Sequence, residues 1–177
     1  MSSLIIAQEA ASASGAPALP SAVLAAATVA TGLAAGVFYT YQVSVTRALA
    51  QVGDDAYVAT FQSINRTIQN AGFAASFIGA PVLIVASLAT WWGEDRQVAG
   101  TIAAGLVLQA VSLAITGTGN IPLNAQLERT GLVTGAEASD ARNRFESRWN
   151  RLHAARTFAS IGSFTALTIA GYLAMTS

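Results

Sequence analysis

The only histidine of the chain lies in a group of polar, aromatic and cationic residues that recur at helical spacing near the C-terminus. The members are separated by four, three, four, three and four positions: Arg142, Glu146, Trp149, His153, Arg156 and Ser160. On one helix from about residue 136 they fall in a stripe about 80° wide, because successive residues turn by about 100°. An imidazole beside an arginine and an indole is suited to proton transfer. On the same helix the opposite side carries three further arginines: Arg144, Arg148 and Arg151.

Two asparagines precede this stripe, in the segment Asn120-Ile121-Pro122-Leu123-Asn124. Glycines at 117 and 119 and the proline at 122 predict that a helix breaks here. Backbone groups freed by such a break must be buried in protein or face water. Asn120 and Asn124 would therefore cap that backbone or present amides to a ligand.

The candidate site has a catalytic part and a binding part. We predict catalytic roles for His153, Arg156 and Arg142. Substrate contacts are predicted for Trp149, Asn120, Asn124, Gln109 and Glu146. Ordinary structural roles remain open for all of them: ion pairs along a helix, an interfacial tryptophan anchor, and, for Gln109 within an apolar segment, a hydrogen bond to another helix.

The elements that must position these residues are apolar. The chain is 53% hydrophobic and 10% charged, whereas about a quarter of an ordinary soluble domain is charged. Four segments reach the roughly 20 apolar residues that a membrane span needs: 21–45, 72–92, 98–116 and 152–175. The sequence therefore predicts an all-α, integral membrane four-helix bundle over residues 21–177, after a flexible tail at 1–20; a soluble bundle of buried helices is the alternative.

An amphipathic helix is expected between spans one and two. Two acidic residues, Asp54 and Asp55, suit a helix start. An apolar side follows with Tyr57, Phe61, Ile64 and Ile68, and a polar side with Gln62, Arg66, Gln69 and Asn70. The polar side would line a vestibule or lie at the lipid headgroups.

Arginine placement predicts the orientation. Eight of the nine arginines lie between spans one and two, between three and four, or at the start of four; only Arg96 lies between two and three. By the positive-inside rule the Arg-rich loops are cytoplasmic and both termini lie outside the cell membrane. Trp91 and Trp92 would then be anchors at the outer face.

Span one carries Gly32 and Gly36, a spacing that lets helices approach closely. This face would support a homo-oligomer or a contact inside the bundle.

Several partners and cofactors can be discounted. There is no cysteine and only one histidine, so thiolate sites, bis-histidine haem and His-rich copper or di-iron sites are excluded. We expect no metal and no cofactor, although a five-coordinate haem on His153 stays open. The net charge of zero gives no reason to expect nucleic acid. The expected partners are the lipid bilayer and a small aromatic ligand.

The chain resembles the anthrone oxygenase-like membrane family over roughly residues 23–172. The matching residues are Gly36-Val37-Phe38-Tyr39 with Val45 and Leu49; Phe61, Asn65-Arg66, Asn70, Phe73 and Gly79-Ala80-Pro81; Asn120-Ile121-Pro122-Leu123-Asn124; and Arg148-Trp149 with His153 and Arg156. Arg47 and Ala71 stand where the family often has proline. Bacterial members are mostly described as proteins with a domain of unknown function.

The resemblance implies oxidation of an anthrone to an anthraquinone. An anthrone that loses a proton gives a stabilised anion that reacts with O₂ without metal or flavin. His153 would be the base, Arg156 and Arg142 the anion stabilisers, Trp149 a stacking wall, and Asn120 and Asn124 would orient the ligand oxygens. The alternatives are a non-catalytic protein that binds a quinone, lipid or haem, and a structural subunit of a membrane assembly.

Overall fold

The computed structural model describes residues 18–176, which form helices joined by short turns. In chain order they are α1 (Ala18–Thr40), a π turn (Tyr41–Val45), α2 (Thr46–Leu49), α3 (Asp54–Ile68), α4 (Ala71–Trp91), α5 (Arg96–Ile115), a second π turn (Thr116–Asn120), α6 (Ile121–Arg129) and α7 (Ala136–Thr176). Four continuous helical rods are long and apolar enough to cross a membrane: Leu19–Leu49, Ala71–Trp91, Arg96–Arg129 and Ala136–Thr176. The predicted all-α, four-span membrane bundle is confirmed. The predicted tail lies outside the described residues up to position 17, and residues 18–20 are already helical.

Small side chains let the four spans pack closely. Ser163 donates from Oγ to the Gly105 carbonyl at 2.8 Å, which joins α7 to α5. A Cβ atom on Gly32 would come within 2.9 Å of the Phe164 ring, so this glycine packs against α7 of the same chain. The core between these contacts is aliphatic and includes Ile84, Ile102 and Leu167. Gly32 thus makes a contact inside the bundle, whereas a Cβ atom on Gly36 would meet no atom of the described residues within 4 Å.

The predicted helix break after span three is wrong. The chain stays helical from Arg96 to Arg129, and the π turn Thr116–Asn120 takes the place of the break. Pro122 stands in the first turn of α6, where a missing N–H is tolerated best. A π turn adds one residue to a helical turn, and such turns are frequent at functional sites.

Helix α3 closes one end of the bundle. Its buried face carries Tyr57 and Phe61, which pack against α7 at Phe145 and Trp149. Gln62 does not belong to an exposed polar face as expected: it is 3% exposed and donates to the carbonyls of Leu127 and Gly131. This glutamine therefore fixes α3 to the end of α6.

The lengths of the rods place the α3 end beyond the membrane core. Ala136–Thr176 has 41 residues and so spans about 60 Å, against a hydrocarbon thickness of about 30 Å. Arg156 lies about 30 Å from the C-terminal end of α7, near the edge of the apolar layer on the side of α3. At the opposite end, Trp91 is buried and donates to the Pro20 carbonyl, while Trp92 is 71% exposed. Only Trp92 therefore has the exposure expected of an interfacial anchor.

Candidate functional site

A cavity of about 670 Å³ lies between the end of α1 with the first π turn, α3, the first half of α4, the second π turn with α6, and α7. This volume is within the roughly 300–1,000 Å³ typical of small-molecule sites. Six aromatic side chains stand in its walls: Phe38, Tyr41, Phe61, Phe73, Phe77 and Trp149. Ile78 and Ile121 line it as well and are 61% and 54% exposed, so the cavity reaches the apolar outer surface.

The predicted stripe on α7 is present. Trp149, His153 and Arg156 are buried and line the cavity, whereas the three arginines of the opposite side are exposed. The stripe exists because α7 runs without interruption from Ala136. Its first two members, Arg142 and Glu146, are not among the described residues that line the cavity.

Arg156 is a buried cation that has no carboxylate partner among the described residues. It is 9% exposed, and no carboxylate in residues 18–176 forms an ion pair with it. Its Nε donates to His153 Nδ1 at 3.1 Å and its Nη1 to Thr116 Oγ1 at 3.3 Å. The guanidinium carbon lies 4.4 Å from the centre of the Phe38 ring. Since a buried charge is costly unless it is paired, this arrangement favours an anionic or oxygen-rich ligand in the cavity.

His153 is held by both ring nitrogens. Arginine can only donate, so Nδ1 accepts from Arg156 and Nε2 carries the hydrogen, which it donates to the Phe38 carbonyl at 3.1 Å. The ring also stacks on Trp149, with centroids 4.7 Å apart. His153 therefore orients Arg156. Both ring nitrogens being engaged, neither is free to take a proton or a haem iron unless one of these bonds opens.

A chain of amides runs along another wall of the cavity. Trp149 Nε1 donates to Asn124 Oδ1 at 2.8 Å, and Asn124 Nδ2 donates to Asn65 Oδ1 at 2.8 Å. An indole N–H can only donate, so the direction of every bond in this chain is fixed. Asn124 and Asn65 both line the cavity. Asn124 was predicted as a binding residue and Asn65 was not, although Asn65 is among the residues that carry the family resemblance. Its place in the cavity depends on how α3 packs against α6.

Glu128 is the one carboxylate that lines the cavity among the described residues. Its Oε1 pairs with Arg66, and its Oε2 is buried with no hydrogen-bond partner within residues 18–176. Glu128 follows Asn124 by one turn on α6. A carboxylate beside a cavity can accept a proton. Glu128 was not predicted as a site residue, because it lies outside the stripe on α7.

Arg142 has a different position from the one its place in the stripe suggested. It bonds Glu146 at 2.6 Å, Asp54 at 3.0 Å and the Val52 carbonyl at 2.9 Å, and it lies over the Tyr57 ring. Burial, reinforced by the nearby Glu146 carboxylate, raises the pKa of Tyr57. Arg142 and Glu146 therefore fasten the turn before α3 to α7, at a distance from the cavity lining.

The two remaining predicted binding residues are buried elsewhere in the bundle. Asn120 donates to the Trp149 carbonyl at 3.3 Å and so holds α7 against the second π turn. Gln109 is 1% exposed and faces the bundle interior, as expected. Neither side chain is among the described cavity walls. Within residues 18–176 no group of three His, Cys, Asp or Glu side chains is placed to hold a metal.

Several cavity residues could not be found by helical spacing on one segment. Phe38 and Tyr41 come from the end of span one, and Phe73 and Phe77 from the start of span two. Phe38 and Phe73 are among the residues that carry the family resemblance, which was the available signal. Tyr41 lies in the first π turn, 5.6 Å from the His153 ring between centroids.

Comparison with known protein families gives a match over most of the cavity. The family model described as anthrone oxygenase matches residues 66–166, which is more than half of the chain and includes α4, α5, α6 and the cavity-lining part of α7. No curated protein and no solved structure matches the chain. On the extent of this match, the chain belongs to the anthrone oxygenase family.

Proposed function

We propose that the protein is a membrane oxygenase that converts an anthrone-like, polycyclic phenolic compound to the corresponding quinone inside the aromatic cavity. The single observation that carries this proposal is Arg156, a buried cation without a described carboxylate partner that lines a cavity with aromatic walls. Such a group stabilises negative charge on a flat aromatic ligand. The family membership agrees with an oxygenase role.

The proposed chemistry begins with loss of a proton. The methylene C–H bond of the anthrone breaks, and its electron pair delocalises onto the carbonyl oxygen, which Arg156 stabilises. The carbanion reduces O₂ and forms a C–O bond, which gives a hydroperoxide after protonation. Loss of water then leaves a carbonyl, so that one CH₂ group and one O₂ give one C=O group and one H₂O. The anion supplies the electrons itself, so the proposal includes neither a metal nor a flavin.

The proton acceptor in this proposal is His153 Nδ1. Arg156 occupies that nitrogen in the structure, so the ligand oxygen must draw Arg156 away before the proton can be taken. Ligand binding would thereby free the base at the site where the oxyanion is stabilised. Glu128 is the rival acceptor, because its Oε2 has no described partner.

Ligand binding without chemistry uses the same cavity and is the second candidate. An aromatic-walled cavity beside His153 favours an enzyme or a quinone-binding protein over a purely structural subunit. Turnover distinguishes the enzyme from the quinone-binding protein, since only the enzyme consumes O₂ with anthrone.

We further propose that the Arg-rich end lies in the cytoplasm and that both chain termini lie outside the cell membrane. The described ends of spans one and two that bear Pro20 and Trp91 lie together, and the arginine distribution favours the opposite end for the cytoplasm. A ligand made in the cytoplasm would then meet the cavity at the inner membrane boundary.

The test follows oxygen and proton transfer separately, in the purified protein in detergent. Anthrone and O₂ are supplied, and anthraquinone formation is followed by its absorbance. Without O₂, exchange of the methylene protons with D₂O is followed by NMR. Wild-type protein should catalyse both. His153→Gln should abolish the exchange and Glu128→Gln should not; the reverse result would make Glu128 the base, and no oxidation by wild-type protein would refute the oxygenase proposal.

A further inference from the structure

The amide chain gives the cavity a second polar contact, away from Arg156. Trp149 separates the two: its ring lies 5.4 Å from the Arg156 guanidinium carbon, and its Nε1 begins the bonds to Asn124 and Asn65. Trp149 therefore presents aromatic surface between two of the polar cavity walls, Arg156 and Asn65.

The donor and acceptor roles in these two hydrogen bonds decide which group of Asn65 is left for a ligand. Asn124 Oδ1 accepts from the indole, and its amino group donates to Asn65 Oδ1. Asn65 Oδ1 is occupied, whereas its amino group has no protein acceptor among the described residues and belongs to a cavity-lining side chain. An amide amino group can only donate. This edge of the cavity therefore matches an oxygen acceptor.

We infer that Asn65 is a specificity-determining residue whose amino group binds the second oxygen of a quinone-like ligand, while Arg156 binds the first. The inference rests on the function proposed above, which supplies the ligand class. On conversion of anthrone to anthraquinone, the methylene carbon gains an oxygen opposite the existing carbonyl. Asn65 thus recognises the atom that distinguishes product from substrate.

This assignment explains why the amide chain ends in an asparagine. An aspartate at this position would also accept from Asn124, but it would face the quinone oxygen with a second acceptor. A leucine would leave both the ligand oxygen and the Asn124 amino group without a partner. Asn65→Asp and Asn65→Leu are therefore a matched pair. Both remove the amino group, but only the aspartate keeps an acceptor for Asn124.

The experiment measures affinities of anthraquinone and anthrone for the full chain in detergent, without O₂, by titration calorimetry. The two ligands differ only at the carbon concerned. Asn65→Leu and Asn65→Asp should each weaken anthraquinone binding by roughly tenfold, the value of one hydrogen bond to a buried acceptor. Anthrone binding should change little in Asn65→Asp, because the aspartate still accepts the hydrogen bond from Asn124.

Each other outcome overturns the assignment. Equal losses for both ligands in Asn65→Asp would mean that Asn65 acts only on the shape of the cavity, and unchanged anthraquinone binding would mean no contact. Thermal unfolding of each variant, and Asn143→Leu on the exposed side of α7, show whether folding accounts for a loss. Because no turnover is measured, a protein that binds anthraquinone through Asn65 but oxidises no anthrone would refute the proposed oxygenase and leave this inference standing.

Discussion

Arg156 donates from Nε to Nδ1 of His153 at 3.1 Å, one turn apart on the same helix. This bond couples the cation of the cavity to its only histidine, whose other nitrogen is fixed on the Phe38 carbonyl. A ligand oxygen that attracts Arg156 therefore also changes the state of His153. The two residues behave as one unit, and variants of either should be interpreted together.

Replacing Arg156 tests the anion-binding role. We expect Arg156→Met to weaken binding of anthraquinone at least tenfold, because a hydrogen bond from a charged group contributes about 1.5–3 kcal/mol. Calorimetry in detergent measures this. Arg151→Met, on the exposed side of the same helix, should bind as wild type does. Equal affinity in Arg156→Met would contradict the assigned role.

Replacing Arg142 should lower the stability of the protein and leave its ligand affinity nearly unchanged. Arg142→Ala removes bonds to Glu146, Asp54 and two backbone carbonyls, so we expect the free energy of unfolding to fall by about 2–3 kcal/mol. Ligand affinity of the folded protein should remain near that of wild type. Denaturant titration in detergent provides the measurement. Arg144→Ala, which is exposed, should change stability by less than about 0.5 kcal/mol, and a specific loss of affinity in Arg142→Ala would return this residue to the site.

The fold was predictable because it depends on long apolar segments and on residue spacing within single helices. Apolar length alone located the four spans, and helical spacing alone separated the buried side of α7 from Arg144, Arg148 and Arg151. The break at Thr116–Asn120 was mispredicted because glycine and proline weaken a helix in general, while a π turn keeps it continuous when neighbours supply packing. Gly119 shows that packing, since a Cβ there would meet Leu152 at 2.8 Å.

The site was only partly predictable, since a cavity is a property of several helices. Trp149, His153 and Arg156 follow from one helix wheel, but Asn65 and Glu128 lie on two other helices. Arg142 and Glu146 share the wheel position of His153 and yet lie beyond the cavity, because α7 extends past it along its axis. A wheel gives direction around a helix and carries no information on distance along it.

The bond between Trp149 and Asn124 should show energetic coupling. We expect Trp149→Phe and Asn124→Ala to be non-additive in the free energy of unfolding by about 0.5–1.5 kcal/mol, because either change alone removes the same hydrogen bond. A double-mutant cycle in detergent measures this. The pair Trp149→Phe and Asn143→Ala provides the control and should be additive. Full additivity for the first pair would mean that the indole and amide do not interact in the folded protein.

The outward opening of the cavity predicts how the ligand enters. Ile78 and Ile121 are cavity walls that are also exposed on the apolar surface, so a hydrophobic ligand dissolved in the bilayer can pass between them without crossing water. We expect Ile121→Trp to slow the oxidation of anthrone carried in lipid vesicles several-fold, because the larger side chain narrows this opening, while the equilibrium affinity for anthraquinone in detergent changes less. Val111→Trp adds the same side chain at an exposed position earlier on the same rod, outside the described cavity walls, and should leave the rate unchanged. If Ile121→Trp and wild type oxidise vesicle-borne anthrone equally fast, the ligand enters from the α3 end instead.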